Sequence, residues 1–119
     1  MESDASVNPK DNESNEIRLG GNIVLVGFSL EPIEMIVVKK IIGNYAKKIG
    51  EKVEYKELKI SLKKTEKAQS FLHEISANAE VKDGMLSSNA VNHNLYTALS
   101  EALEKVNSQA EHKERTSRQ

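Results

Sequence analysis

Residues 79–113 read AEVKDGMLSSNAVNHNLYTALSEALEKVNSQAEHK, and this stretch decides the fold. Lys82-Asp83-Gly84 places Asp-Gly at the heart of a tight hairpin turn, where positive φ is easily reached. MLSSNAVN (85–92) after it reads as a strand, with small Ser88 and Ala90 in one phase. Leu95, Leu99, Ala102, Leu103, Val106 and Ala110 then recur at helical spacing, a clean apolar stripe. Asn92 or His93 is the expected cap of this helix, and EHKERTSRQ the frayed end of it.

Upstream the period changes to two. FLHEISANAEV (71–81) alternates through Phe71, His73, Ile75, Ala77, Ala79 and Val81, and EYKELKISLKK (54–64) through Leu58, Ile60 and Leu62. Both read as half-buried strands, joined by the polar turn TEKAQS. SLEPIEMIVVKKIIGNYAKKIGEKV (29–53) returns to helical period at Met35, Val38, Ile41, Ile42, Tyr45 and Ile49. Ser29 is its expected cap, Pro32 is tolerated in the first turn and Gly50 marks the stop. Gly43, inside the pattern, weakens that helix by roughly 1 kcal/mol relative to Ala. NIVLVGF (22–28) is an apolar run, expected to be a strand covered on both faces.

The order is β-α-β-β-β-α. It predicts an α+β two-layer sandwich, a four-stranded mixed sheet with two helices on one face. Residues 1–20, polar and acidic, are expected to form a disordered leader, with Gly20-Gly21 opening the folded part. Residues 21–112 form the single domain and 113–119 a polar tail.

Composition narrows the chemistry. The chain has 119 residues, 38% hydrophobic and 29% charged, with no cysteine, hence no disulfide, thiol nucleophile or cysteine zinc site. No apolar run nears the roughly 20 residues that span a bilayer, and the N-terminus lacks a signal-peptide pattern. A cytoplasmic protein is expected. His73, His93 and His112 have no metal-ligand spacing. His73 reads as a hydrogen-bonded strand residue and His93 as the start of the helix. Glu31 and Glu34 suit the start of the first helix, where carboxylates favour the macrodipole. GxSxG, P-loop and GxGxxG motifs are all missing, so no catalytic residue, metal or cofactor is assigned and no enzyme is expected.

Charge is unevenly spread. Residues 39–67 hold ten Lys against four Glu, a balance of +6 in a chain of net charge −1. Such a segment either attracts a polyanion or is a solvated lysine face. VVKKIIGNYAKKIGEKV superficially resembles a KH-domain loop between helices. That loop needs a second glycine, where Gly43-Asn44-Tyr45-Ala46 has none, so this match is rejected.

The folded part from about residue 22 to 113, anchored on the segment 79–113, resembles the bacterial hibernation-promoting factor and ribosome-associated inhibitor family (sigma-54 modulation proteins), in a short form. The residues that carry the resemblance are Asn94, Leu95, Tyr96, Ala98, Leu99, Leu103, Lys105, Gln109 and Lys113, with NYAKKI (Lys47, Lys48) and VGFSLEPIEM (Gly27, Glu31, Glu34) upstream. The family's aspartate is Asn94 here, and its arginine near the helix end is Ser108.

The resemblance implies a fold related to double-stranded-RNA-binding domains and docking on small-subunit ribosomal RNA. It implies an RNA-facing surface of Lys39, Lys40, Lys47 and Lys48 on the first helix, joined by Lys105, Gln109 and Lys113 on the second. Glu101, Glu104 and Glu111 interrupt that second face. The alternative is a non-catalytic protein-interaction module, a homodimer through an uncovered apolar sheet face, with no RNA partner.

Overall fold

Hydrophobic alternation begins earlier than the leader's composition suggests. The computed structural model describes residues 16–117, with side chains to residue 113. Within them Glu16–Leu19 is already a strand, β1, antiparallel to β2 (Ile23–Val26), with Leu19 opposite Ile23. Ile17 and Leu19 pack against the core, while Glu16 and Arg18 point away. Four residues of alternation inside a polar segment are too few to stand out. Gly20-Gly21-Asn22 is therefore the turn of a hairpin rather than the opening of the domain. Positive φ at Gly21 (73°) and Asn22 (67°) makes that turn, and both residue types tolerate it. The expected leader 1–20 is corrected at residues 16–19, and its first fifteen residues lie outside the described residues.

Helix α1 (Pro32–Gly50) carries the chain from β2 to β3 (Tyr55–Lys67), which lies parallel to β2 with Leu25 opposite Ile60. β4 (Ser70–Val81) and β5 (Gly84–Asn92) continue as an antiparallel meander, and α2 (Leu95–Ser117) closes the chain. The sheet has five strands in the order β1-β2-β3-β4-β5. The expected four-stranded sheet gains β1 as an outer strand.

Both helices pack on the face formed by Leu25, Leu58, Ile60, Ile75, Ala77 and Ala79, all fully buried. Small Ala77 and Ala79 let α2 lie close to β4. Ser88 Oγ confirms the approach by donating to the Ala102 carbonyl at 2.6 Å. Deleting a large side chain such as Leu58 or Leu99 from this layer would cost about 2–5 kcal/mol.

The opposite face is polar at its centre, where Lys59, Asn78 and Ser87 stand in register, as do Ser61, Ser76 and Asn89, with Met85 and Val91 exposed on β5. Asn89 Nδ2 donates to Ser76 Oγ at 2.9 Å across it. Val24 is buried outside the main core, and its cross-strand neighbours are Arg18 and Lys59, whose aliphatic stems suit an apolar neighbour. The expected apolar sheet face, and the homodimer that rested on it, therefore lose their basis.

Helix ends also differ from expectation. Glu31, not Ser29, precedes α1, and its N–H donates to Glu34 Oε1 at 3.0 Å. Pro32 takes the first helical position, where its missing N–H costs nothing. Asn94 caps α2: the Thr97 N–H donates to Asn94 Oδ1 at 2.9 Å, and the Asn94 N–H to Asn92 Oδ1 at 2.8 Å. Asn94 thus fills the capping role that an aspartate would also fill here. α2 runs to Ser117, so most of the expected polar tail is helical.

Candidate nucleic-acid interface

α1 has two unlike sides. Val38, Ile42, Ala46 and Ile49 face the core, and the other side carries Lys39, Lys40, Lys47 and Lys48, all exposed. At 100° per residue Lys40 and Lys47 lie on the outermost face, two turns and about 10 Å apart. Lys39 sits on one flank. Lys48 sits on the other, its Nζ 5.0 Å from the Tyr45 ring centroid. Lys47 and Lys48 also occupy the last turn, where cations favour the macrodipole. Among the described residues the one ion pair is Arg18–Glu16 at 3.3 Å, so none of these four lysines is neutralised by a described acid. Ile33, Ile36 and Val37 continue the outer face toward the N-terminus, 72%, 65% and 37% exposed.

The two helices run in the same direction. Tyr45 meets Glu104, and further along Lys52 Nζ donates to Asn107 Oδ1 at 2.7 Å. Tyr45, Ser100, Glu101, Glu104 and Lys105 line a shallow groove beside this contact. Burial, together with the hydrogen bond and charge of Glu104, raises the Tyr45 phenol above its ordinary value. Carboxylates thus separate the lysines of α1 from the outer side of α2.

On α2 the expected binding residues face elsewhere. Lys105 Nζ donates to the Asn89 carbonyl at 2.7 Å. Gln109 Nε2 donates to the Ser87 carbonyl at 2.7 Å, and its Oε1 accepts the Ser87 N–H at 3.1 Å. β5 is the outer strand of the sheet, so both side chains satisfy backbone groups that would otherwise face water. Lys113 lies near the β4–β5 turn, lining a cleft with Asn22, Tyr55 and Asp83. The structure therefore brings Lys39, Lys40, Lys47 and Lys48 onto one helix, while Lys105 and Gln109 turn to the β5 edge and Lys113 to the β4–β5 turn. Their spacing of one turn was legible in the sequence, but the direction they face depends on where β5 lies.

The lysines of β3 divide by strand alternation. Lys63 and Lys67 share the open sheet face with Lys59 and Ser61, so they are remote from α1. Lys64 is on the helix side, with its Nζ 4.8 Å from the ring centroid of Phe71. Nearby, His73 Nδ1–H donates to the His93 carbonyl at 2.8 Å and His93 Nδ1–H to the Phe71 carbonyl at 2.9 Å. A carbonyl only accepts, which fixes both Nδ1 atoms as donors. Each imidazole thus commits its Nδ1 to backbone. Among the described residues no group of three or more His, Cys, Asp or Glu side chains is placed to hold a metal ion. Nor is any described helix long and apolar enough to cross a membrane.

No family model and no curated protein sequence matches this chain. Solved structures do. The N-terminal domain of Protein Y from Thermus thermophilus superposes with a TM-score of 0.52 at 12% identity, covering 76% of this chain and 91% of that one. A ribosomal subunit interface protein from Coxiella burnetii gives a TM-score of 0.54 at 11% identity, covering 76% and 92%. At this identity the likeness establishes a shared fold.

Proposed function

We propose that this protein binds structured RNA, specifically small-subunit ribosomal RNA, through the outer face of α1, and that this docking modulates translation in the cytoplasm. The observation that carries the reading is the unpaired lysine face of α1 on a fold shared with Protein Y and a ribosomal subunit interface protein. Exposed ammonium groups without acid partners can meet phosphates at little desolvation cost and release the RNA's counterions. In this reading Lys39, Lys40, Lys47 and Lys48 position the RNA backbone. Lys105 and Gln109, committed to β5, support the fold, and Lys113 lies outside the surface. Phosphate contacts of this kind read shape more than sequence, as suits an A-form helix.

The test is binding to purified small ribosomal subunits as salt is raised. Three of the four lysines each meeting a phosphate predict a log–log slope of about −2 to −3. Lys47→Glu/Lys48→Glu should flatten that slope and weaken binding at least ~10-fold at low salt. Binding that ignores both salt and the double substitution would exclude the reading.

A protein-contact reading draws on a different observation, the exposed Ile33, Ile36 and Val37 on the first two turns of α1. It predicts an association that barely responds to salt and is lost in Ile33→Ser/Ile36→Ser.

A further inference from the structure

The β3–β4 hairpin outruns its neighbours. Pairing of β3 with β2 ends at Ser61, and pairing of β4 with β5 ends at His73, opposite Asn92. Beyond both points only Thr65–Lys67 and Ser70–Leu72 remain, a short two-stranded arm with no third strand beside it, and Leu62–Lys64 lead into it.

Phe71 sits on this arm, 48% exposed, although every other Phe and Tyr described packs in or against the core, apart from its edge contacts. Lys64 covers one side of its ring at 4.8 Å. Lys63 and Lys67 lie on the reverse face of the same ribbon, and Glu66, opposite Phe71, is the one acid among residues 62–72. The arm and the residues leading into it, 62–72, therefore carry a balance of +2. It is also braced, because the His93 imidazole of the α2 approach holds the Phe71 carbonyl at 2.9 Å. The ring is presented by a fixed backbone at the end of the sheet where both helices begin.

We infer that Phe71 and Lys64 form a stacking site for an unpaired RNA base, with Lys64, Lys63 and Lys67 drawing in its flanking phosphates. The inference rests on the RNA-binding reading above but uses different side chains, so each can fail alone. An exposed aromatic with a cation beside it suits a nucleobase, whose π-face stacks on the ring whatever its identity. The cation adds to the interaction with both the ring and the phosphates. The occupant is a single-stranded nucleotide, whereas the helix face takes a duplex backbone. A protein with both could grip a helix and an adjoining loop of one RNA.

The probes are octa-adenylate and an abasic ribose-phosphate octamer of equal length and charge. Wild-type protein is expected to bind octa-adenylate at least about fivefold more tightly, the lower end of what one stacked base contributes. Phe71→Leu keeps the apolar bulk at an exposed site, so folding is not at issue. It should bind both octamers equally, while Phe71→Trp restores the preference. Lys47→Glu/Lys48→Glu should keep the preference intact. Equal binding of the two octamers by the wild type, or a preference that survives in Phe71→Leu, overturns the inference. Loss of subunit binding in Lys47→Glu/Lys48→Glu bears on the helix face alone.

Discussion

The Gln109 side chain pairs with Ser87 as a neighbouring strand would, Nε2 donating to the carbonyl at 2.7 Å and Oε1 accepting the N–H at 3.1 Å. One turn earlier Lys105 holds the next outward carbonyl, that of Asn89. Together they blunt the outer edge of β5, which would otherwise template pairing with another chain.

Gln109→Glu removes the donor and leaves a carboxylate against the Ser87 carbonyl. Two hydrogen bonds of about 1 kcal/mol each are at stake, so urea denaturation should show a loss of about 1–2 kcal/mol. Gln109→Ala should lose a similar amount. RNA affinity should stay within about twofold of wild type in either variant, since neither touches a lysine of α1.

Gly27 ends β2 with φ of +79°, and a Cβ there would lie 2.5 Å from the Leu62 carbonyl oxygen. Backbone cannot move aside as a flexible side chain would. Gly27→Ala therefore combines an unfavourable φ with a clash, and should cost at least about 2 kcal/mol in thermal or chemical unfolding.

Ala68 turns the β3–β4 arm with φ of +56°, a conformation that costs an L-residue roughly 1–2 kcal/mol. Ala68→Gly relieves that strain and loses part of the gain to unfolded-chain entropy. A net stabilisation of about 0.5–1 kcal/mol is expected, read as a raised melting temperature.

Tyr45 and Tyr55 both have phenols raised above the ordinary value, by burial first in each case and by Glu104 as well at Tyr45. A raised acid binds its proton more tightly folded than unfolded. Its contribution is complete below pH ~10 and is lost as pH climbs through the folded value. Stability should fall above pH ~10, and Tyr45→Phe and Tyr55→Phe should each make the fall shallower.

Element type and order were legible because the periods are unambiguous: Leu58, Ile60 and Leu62 alternate, and Leu95 to Ala110 keep a helical stripe. β1 escaped because Ile17 and Leu19 are only two apolar residues in a polar stretch, and a strand this short exists through pairing with β2. The lysines of α1 were legible as a face, since helical period alone turns them from the core. The direction of Lys105 and Gln109 was not, because it depends on the position of β5, a tertiary fact. The open face of β2 was misread for the same reason: Arg18 and Lys59 flank Val24 only once three strands are aligned.

The most direct test of the account is co-sedimentation with small ribosomal subunits at roughly 50 and 200 mM salt, a range that separates phosphate contacts from apolar ones. Three proteins are compared: wild type, Lys40→Glu/Lys47→Glu and Lys105→Ala/Gln109→Ala. The account predicts salt-sensitive binding by the wild type, loss of it in the α1 variant, and near wild-type binding, with lowered stability, in the α2 variant. Binding that survives in Lys40→Glu/Lys47→Glu but disappears in a folded Lys105→Ala/Gln109→Ala would contradict it.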